Sequence, residues 1–338
     1  MTPPDASSEV WLCLSGGNAL GAYHAGAYSA LHAAGILPKR VAGTSVGAIV
    51  AAVIAGNRPE DRLARLDEFW QLAASDVAIA NFAHFWDGSK IASSLGTLLH
   101  GRPGLFQPSL GLWWRRLSGL SSPSLFERSG MRATLCRLVD FDYLNRGEVR
   151  LVVNATDVET GEEQVYNTSQ MEVTIDHLMA SSAFPVLFPS EPLGDQHMVD
   201  GGLAANLPIL PLFRDPPACP VKCLAFDLVQ ANGRVPNTLD NAVHRMQDLL
   251  LSNQSKRSME LLKHRASGWP VPITVLHVSY KGEREVGGKM LEFSAASMKL
   301  RTDAGKSDAE IAMRWLDEAG LPGSHADHIK EYEFGVTG

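Results

Sequence analysis

Several features that would narrow the class at once are missing. Four cysteines in 338 residues, Cys13, Cys136, Cys219 and Cys223, are too few and too irregularly spaced for a disulfide framework. Reduced, mostly buried thiols in a cytoplasmic protein are the expectation. No run of about 18 apolar residues marks a membrane span. Residues 1–9 lack the basic start and apolar core of a secretory signal and are expected to be flexible. There is no H-E-x-x-H and no paired-cysteine motif, and no G-K-[ST] follows the glycine loop, so no metal or other cofactor is expected. His325-Ala326-Asp327-His328 reads only as a solvated polar tail. The charge of -7 (30 basic minus 37 acidic side chains) gives no reason to propose a nucleic-acid partner.

What is present begins with composition. Apolar residues at 45% and charged residues at 20% allow a sizeable core. Residues 10–14 form an apolar run that ends in Ser15-Gly16-Gly17, a strand entering a glycine loop. Small and apolar residues dominate from 19 to 34, with Gly35 placed to stop a helix. A second strand, Arg40-Val41-Ala42, runs into Gly43-Thr44-Ser45-Val46-Gly47, and the helix-forming run 48–55 follows. Further strands are expected at 148–155, 221–228 and 272–280, with a hairpin turn at Thr160-Gly161-Glu162 leading to Gln164-Val165-Tyr166. Helices are expected at 174–182, 240–264 and 308–319. Strand and helix alternating in this order predict an α/β fold: a central, mostly parallel sheet flanked by helices.

G-x-S-x-G between a strand and a helix is the sequence form of a nucleophile elbow. Small flanking residues let the chain turn tightly so that the serine projects from the bend. The helix amides beyond it favour negative charge developing nearby.

Two other segments stand with the elbow. One is the glycine loop with its continuation to Gly26. The other joins Ala180-Ser181-Ser182-Ala183-Phe184-Pro185 to Asp200-Gly201-Gly202 and Asn206-Leu207-Pro208. The ordered set resembles the patatin-like phospholipases and acylhydrolases, which hydrolyse lipids and esters with a serine–aspartate dyad. The resemblance covers residues 10–230. It implies Ser45 as nucleophile and Asp200 as the base that takes its proton. A serine hydroxyl is a weak nucleophile until a neighbouring acceptor removes its proton, which a carboxylate in hydrogen-bond reach can do. The loop Gly16-Gly17-Asn18 should supply the oxyanion hole, because preorganised amides stabilise a tetrahedral intermediate. Asn206 is expected to fix the aspartate loop rather than to react.

The chain departs from the family at two loop positions. Asn18 stands where a third glycine is usual, and Leu20 where a basic residue is usual. Asparagine tolerates a left-handed backbone best among non-glycine residues, so the turn can survive. Its side-chain amide is expected to add an oxyanion donor. Loss of the cation leaves phospholipid, neutral and polymeric esters all open as substrates.

Two alternatives remain at this stage. A Ser-His-Asp triad would draw its base from His244, His264, His277, His325 or His328, all after Asp200. A catalytically weak relative would bind lipids or protein partners instead. Residues 81–130 are expected to form an inserted cap or lid. Six arginines against one glutamate between 101 and 137, with Phe106, Trp113 and Trp114 among them, suggest substrate contact or peripheral contact with a lipid surface. Residues 231–338 are expected to form a C-terminal extension packed on the same core.

Overall fold

The five apolar runs of the sequence become five adjacent, parallel strands. A computed structural model describes residues 8–74, 89–109, 124–282, 285, 288–318 and 329–334. In chain order the strands are β1 (Glu9–Leu14), β2 (Arg40–Gly43), β3 (Gln107–Pro108), β4 (Phe126–Glu127), β5 (Arg150–Asp157), β6 (Glu163–Asn167), β7 (Glu191–Leu193), β8 (Gln196–Asp200), β9 (Val221–Asp227), β10 (Ile273–Ser279) and β11 (Ile329–Phe334). The helices are α1 (Ala22–Ala33), α2 (Val46–Ala55), α3 (Arg62–Ala74), α4 (Ser89–His100), α5 (Ser129–Leu138), α6 (Phe141–Arg146), α7 (Ile175–Ser181), α8 (Gly202–Ala205), α9 (Ile209–Leu212), α10 (Leu239–Ala266) and α11 (Ala295–Glu318).

Among the described residues nine strands share one sheet in the order β11-β10-β9-β1-β2-β5-β8-β7, with β6 also pairing β5. Strands β11 through β5 run parallel, while β6, β7 and β8 add antiparallel pairs. The central strands are buried on both faces, which is why they read as unbroken apolar runs rather than as alternation. Their side chains still divide with period two. Leu12, Leu14, Leu224 and Phe226 enter a core shared with α1, α2, α3 and α11. Trp11, Cys13, Cys223 and Ala225 enter a second core under α9 and α10. Helix α2 is buried along its whole length, as an all-apolar helix must be.

Strands β2 and β8 use the same edge of β5 from opposite ends. Residues 40–43 of β2 pair with 150–153, and residues 198–200 of β8 pair with 155–157. Residue 154 lies between the two pairings. The ends of β2 and β8 therefore face each other across Asn154; the turn leaving β2 carries Ser45, and Asp200 is the last residue of β8.

Residues beyond 231 extend the same sheet through β10 and β11 and lay α11 against α1. The contact is backbone to backbone: a Cβ on Gly26 would lie 1.9 Å from the Thr302 carbonyl oxygen, and one on Gly305 would lie 2.0 Å from that of Tyr23. Tyr23 also donates to Asp308 at 2.7 Å. Only the second half of α11 was expected, because its polar first half hides the period.

The expected cap overlaps α4, the β3–β4 ribbon and the start of α5. Trp113 and Trp114 lie outside the described residues, as do Arg115, Arg116 and all of 81–88. The remaining arginines do not form a free basic surface. Arg102 and Arg128 are buried, Arg132 pairs with Asp176 and Glu191, and Arg137 pairs with Glu68. A formal charge count cannot see that two of these guanidiniums are buried and that the other two are paired with carboxylates at the surface.

Candidate active site

The elbow is held by contact on every side. Ser45 caps α2 with φ 56°, a backbone state that costs roughly 1–3 kcal/mol and persists only where its surroundings impose it. A Cβ on Gly43 would lie 2.2 Å from the Gly47 carbonyl oxygen, and one on Gly47 would lie 2.3 Å from that of Leu14. No larger residue fits either place. The Ser45 amide donates to Ser181 Oγ at 3.1 Å, so the end of α7 also grips the bend.

Ser45 Oγ donates directly to Asp200 Oδ2 at 2.6 Å. The other carboxylate oxygen accepts from the Gly202 amide at 2.8 Å. Asp200 is only 2% exposed, and burial raises its pKa to about 6 despite the bonds from Ser45 and Gly202 and the nearby Arg128 charge. A carboxylate that is ionised at neutral pH yet more basic than usual suits proton acceptance. The 181–183 turn binds both halves of the pair. Besides holding Ser45, its Ser181 carbonyl accepts from Gly201 at 3.3 Å and its Ala183 carbonyl accepts from Asp200 at 3.0 Å.

Three side chains here were not singled out from the sequence. Asn154 Oδ1 accepts from Thr44 Oγ1 at 2.6 Å, while its amide donates to Ala205 O at 3.1 Å and Glu163 Oε1 at 2.8 Å. Arg128 donates to Met179 O at 2.9 Å and Ser182 Oγ at 3.1 Å, pairs with Glu191 at 3.3 Å, and lies over the Phe188 ring. Burial lowers its pKa to about 10. His24 is fully buried, which holds its pKa near 4; neutral, it donates from Nε2 to Ser15 O at 2.9 Å. The carbonyl acceptor fixes that tautomer.

The glycine loop is anchored by Asn206 from both sides. The Gly16 amide donates to Asn206 O at 3.1 Å, and Asn206 Nδ2 donates to Gly16 O at 3.3 Å. A Cβ on Gly16 would lie 2.7 Å from Asn206 Oδ1. The expected oxyanion donors thus differ in status: the Gly16 amide is engaged in holding the loop, while those of Gly17 and Asn18 have no partner among the described residues. Asn18 has φ 50° and opens a 3-10 turn to Gly21. Leu20 is fully buried, so the usual cation site is part of the core.

Gly17, Asn18, Ser45, Arg128 and Asp200 line a cavity of about 370 Å³ that also contacts Trp70, Phe106, Phe188 and Phe293. Phe106 is thus buried in the cavity wall rather than at a lipid–water boundary. Its ring packs edge-on against those of Phe126, Phe188 and Phe293. Helix α10 contributes His244, Gln247 and Leu251 to the wall. Of the other histidines considered, His277 pairs with Asp227 at 3.3 Å and His264 is exposed; His325 and His328 lie outside the described residues. Among the described residues no helix is long and apolar enough to cross a membrane.

Uncharacterized NTE family proteins of Mycobacterium tuberculosis and Mycobacterium bovis are 28% identical over 204 residues, which is 60% of this chain. The chain spans only 28% of the length of these curated relatives. Among solved structures, VipD of Legionella pneumophila is 16% identical, with a TM-score of 0.45, over 92% of this chain and 67% of that one. ExoU of Pseudomonas aeruginosa, crystallised with SpcU, is 20% identical, with a TM-score of 0.27, over 76% and 52%. The profile of the patatin-like phospholipase family matches residues 12–213, more than half of the chain, and the chain belongs to that family.

Proposed function

We propose that the protein is a lipid acyl hydrolase that cleaves carboxylic esters with a Ser45–Asp200 dyad. The observation that carries this reading is the 2.6 Å hydrogen bond from Ser45 Oγ to Asp200 Oδ2 in the wall of a largely apolar cavity. Ser45 Oγ attacks the ester carbonyl while its proton passes to Asp200. The tetrahedral oxyanion accepts hydrogen bonds from the Gly17 and Asn18 amides, with the α2 N-terminus behind Ser45. Collapse expels the alcohol, which takes the proton from Asp200. Water, deprotonated by the same carboxylate, then releases the acid from the acyl-enzyme.

Asn18 is proposed to add its side-chain amide to the oxyanion hole. Asn18→Gly keeps the backbone state and both amides, so turnover unchanged within about twofold would remove the side chain from the mechanism; loss of a working donor costs about 10²-fold or more.

A fluorophosphonate tests the whole reading. It is expected to label the wild type at Ser45 and to leave Ser45→Ala unlabelled, with hydrolysis of a p-nitrophenyl ester lost in Ser45→Ala and Asp200→Asn. Labelling elsewhere, or turnover surviving in Ser45→Ala, would overturn it.

A further inference from the structure

Arg301 is a cation sealed inside the protein. It stands on α11, beyond the residues 12–213 that the family profile matches, and its side chain is 0% exposed. Taking a guanidinium out of water is costly unless its charge and its donors are all met. Here they are. Nε and Nη2 donate to the two carboxylate oxygens of Glu285 at 2.7 and 2.8 Å. Nη2 also donates to Lys289 O at 3.1 Å, while Nη1 donates to Glu292 O at 2.7 Å and to Ala19 O at 3.1 Å. Every N–H donor that an arginine has is thereby used. The buried Glu292 carboxylate lies 3.7 Å from Nη2 and adds a second negative charge.

All but one of these contacts fall within residues 285–292; the exception is Ala19. Its carbonyl belongs to the 3-10 turn Asn18–Gly21. Gly17 and Asn18, whose amides have no partner among the described residues, come immediately before it. On the other side of that pair, Asn206 holds Gly16 through two hydrogen bonds. The two candidate oxyanion donors therefore stand between two anchors, Asn206 before them and Arg301 after them. Support is needed there, because Asn18 holds a left-handed backbone at φ 50° that only its surroundings maintain. Thr302, the next residue of α11, donates to Ala22 O at 3.3 Å and grips the start of α1 in the same way. A buried ion pair adds little stability over packed apolar side chains, whereas a planar guanidinium with all its donors engaged fixes geometry.

We infer that Arg301 is a positioning residue for the oxyanion hole: by tying Ala19 O to the 285–292 segment, it fixes the aim of the Gly17 and Asn18 amides. The inference rests on the acyl hydrolase reading. Oxyanion donors lower a barrier only when they are already directed at the place where charge develops. A loosened loop therefore costs kcat rather than substrate binding.

Two variants test this. Arg301→Lys keeps the charge and loses the planar fork; Glu285→Gln keeps Arg301 and weakens the hold on it. Each is compared with the wild type on p-nitrophenyl butyrate and on its thiono analogue, whose carbonyl sulfur is a poorer hydrogen-bond acceptor. On the oxygen ester, Arg301→Lys is expected to lower kcat by about 10- to 100-fold with KM unchanged within about twofold. Glu285→Gln is expected to lower kcat by at least about threefold. In both, the preference for the oxygen ester should shrink in step, because that preference reads the aim of the donors. A merely structural role would slow both esters alike. An Arg301→Lys enzyme (or, should that variant not fold, a Glu285→Gln enzyme) with kcat within about twofold of the wild type overturns the inference, as does one that loses both substrates equally. Fluorophosphonate labelling separates the two failures. A wild type that takes no label at Ser45 and turns over neither ester ends the hydrolase reading and the positioning role together. A labelled, active wild type matched by Arg301→Lys ends the positioning role alone.

Discussion

Thr44 and Asn154 share a buried 2.6 Å hydrogen bond at the point where β2 stops and β8 arrives. Thr44 Oγ1 also reaches the Ala205 carbonyl at 3.0 Å, and Asn154 Nδ2 donates to the same oxygen at 3.1 Å. The serine turn and the aspartate loop are thus tied to one side chain of the strand between them. Asn154→Ala is expected to destabilise the fold by about 2–4 kcal/mol, since it leaves buried partners unsatisfied. It is also expected to lower kcat by about 10- to 100-fold, because small misplacements of reacting groups are costly. Thermal unfolding and steady-state hydrolysis measure the two effects.

Asp200 sets a pH limit in both activity and stability. Its folded pKa of about 6 exceeds the ordinary 3.8, so turnover is expected to fall as pH drops through 6. The native state holds a proton between pH 4 and 6 that the unfolded chain releases, so this group's contribution to stability is lost as pH rises through that window. Above it the ionised carboxylate costs roughly 2–3 kcal/mol. Asp200→Asn mimics the protonated form. It is expected to cut hydrolysis by about 10²–10⁴-fold and to raise the thermal midpoint. The gain should be present at pH 7 and absent at pH 4.

Arg128 holds Met179, Ser182 and Glu191 and lowers the Asp200 pKa by its charge. In Arg128→Met the acid limb of the rate profile is expected to move to higher pH, with partial recovery of kcat in alkaline buffer. A merely structural role would lower the thermal midpoint without moving the limb.

The α1–α11 contact leaves no room for a methyl group. Gly26→Ala is expected to cost at least about 3 kcal/mol, read in denaturant unfolding, because the obstruction is backbone rather than a movable side chain. Hydrolysis should fall as well, since Arg301 of α11 donates at 3.1 Å to Ala19 O, immediately after the glycine loop.

Much of this arrangement is legible in the chain because the physics is local. The central strands of a parallel sheet are buried on both faces, so β1, β5, β9 and β10 stand out as apolar runs whose observed limits lie within two residues of those expected. The elbow is legible because its glycines are required by backbone packed against the turn, Gly43 by the Gly47 carbonyl four residues on and Gly47 by the Leu14 carbonyl of the neighbouring strand. Asn154 is not legible, since a polar residue within an apolar run reads as an interruption until Thr44, Glu163, Gly201 and Ala205 are assembled around it. Arg128 is misread for a related reason. Sequence gives its charge but not its burial, and the aromatic face and carbonyls that receive it come from other elements. Helix α3 went unseen beside the richer signal of the elbow helix. Helix α4 resists reading because its leucines point away from the core that periodicity arguments assume they seek.

The end-to-end meeting of β2 and β8 has a consequence for when the protein acquires its chemistry. The hydroxyl and the carboxylate are 155 positions apart along the chain, and neither strand end faces the other until β5 lies between them. A nascent chain that has folded its first two strands carries an inert alcohol at the bend. On the proposed dyad mechanism, competence to cut an ester is expected only once the returning strand pairs with the other half of that edge, so a fragment ending before β8 is expected to leave lipid esters intact.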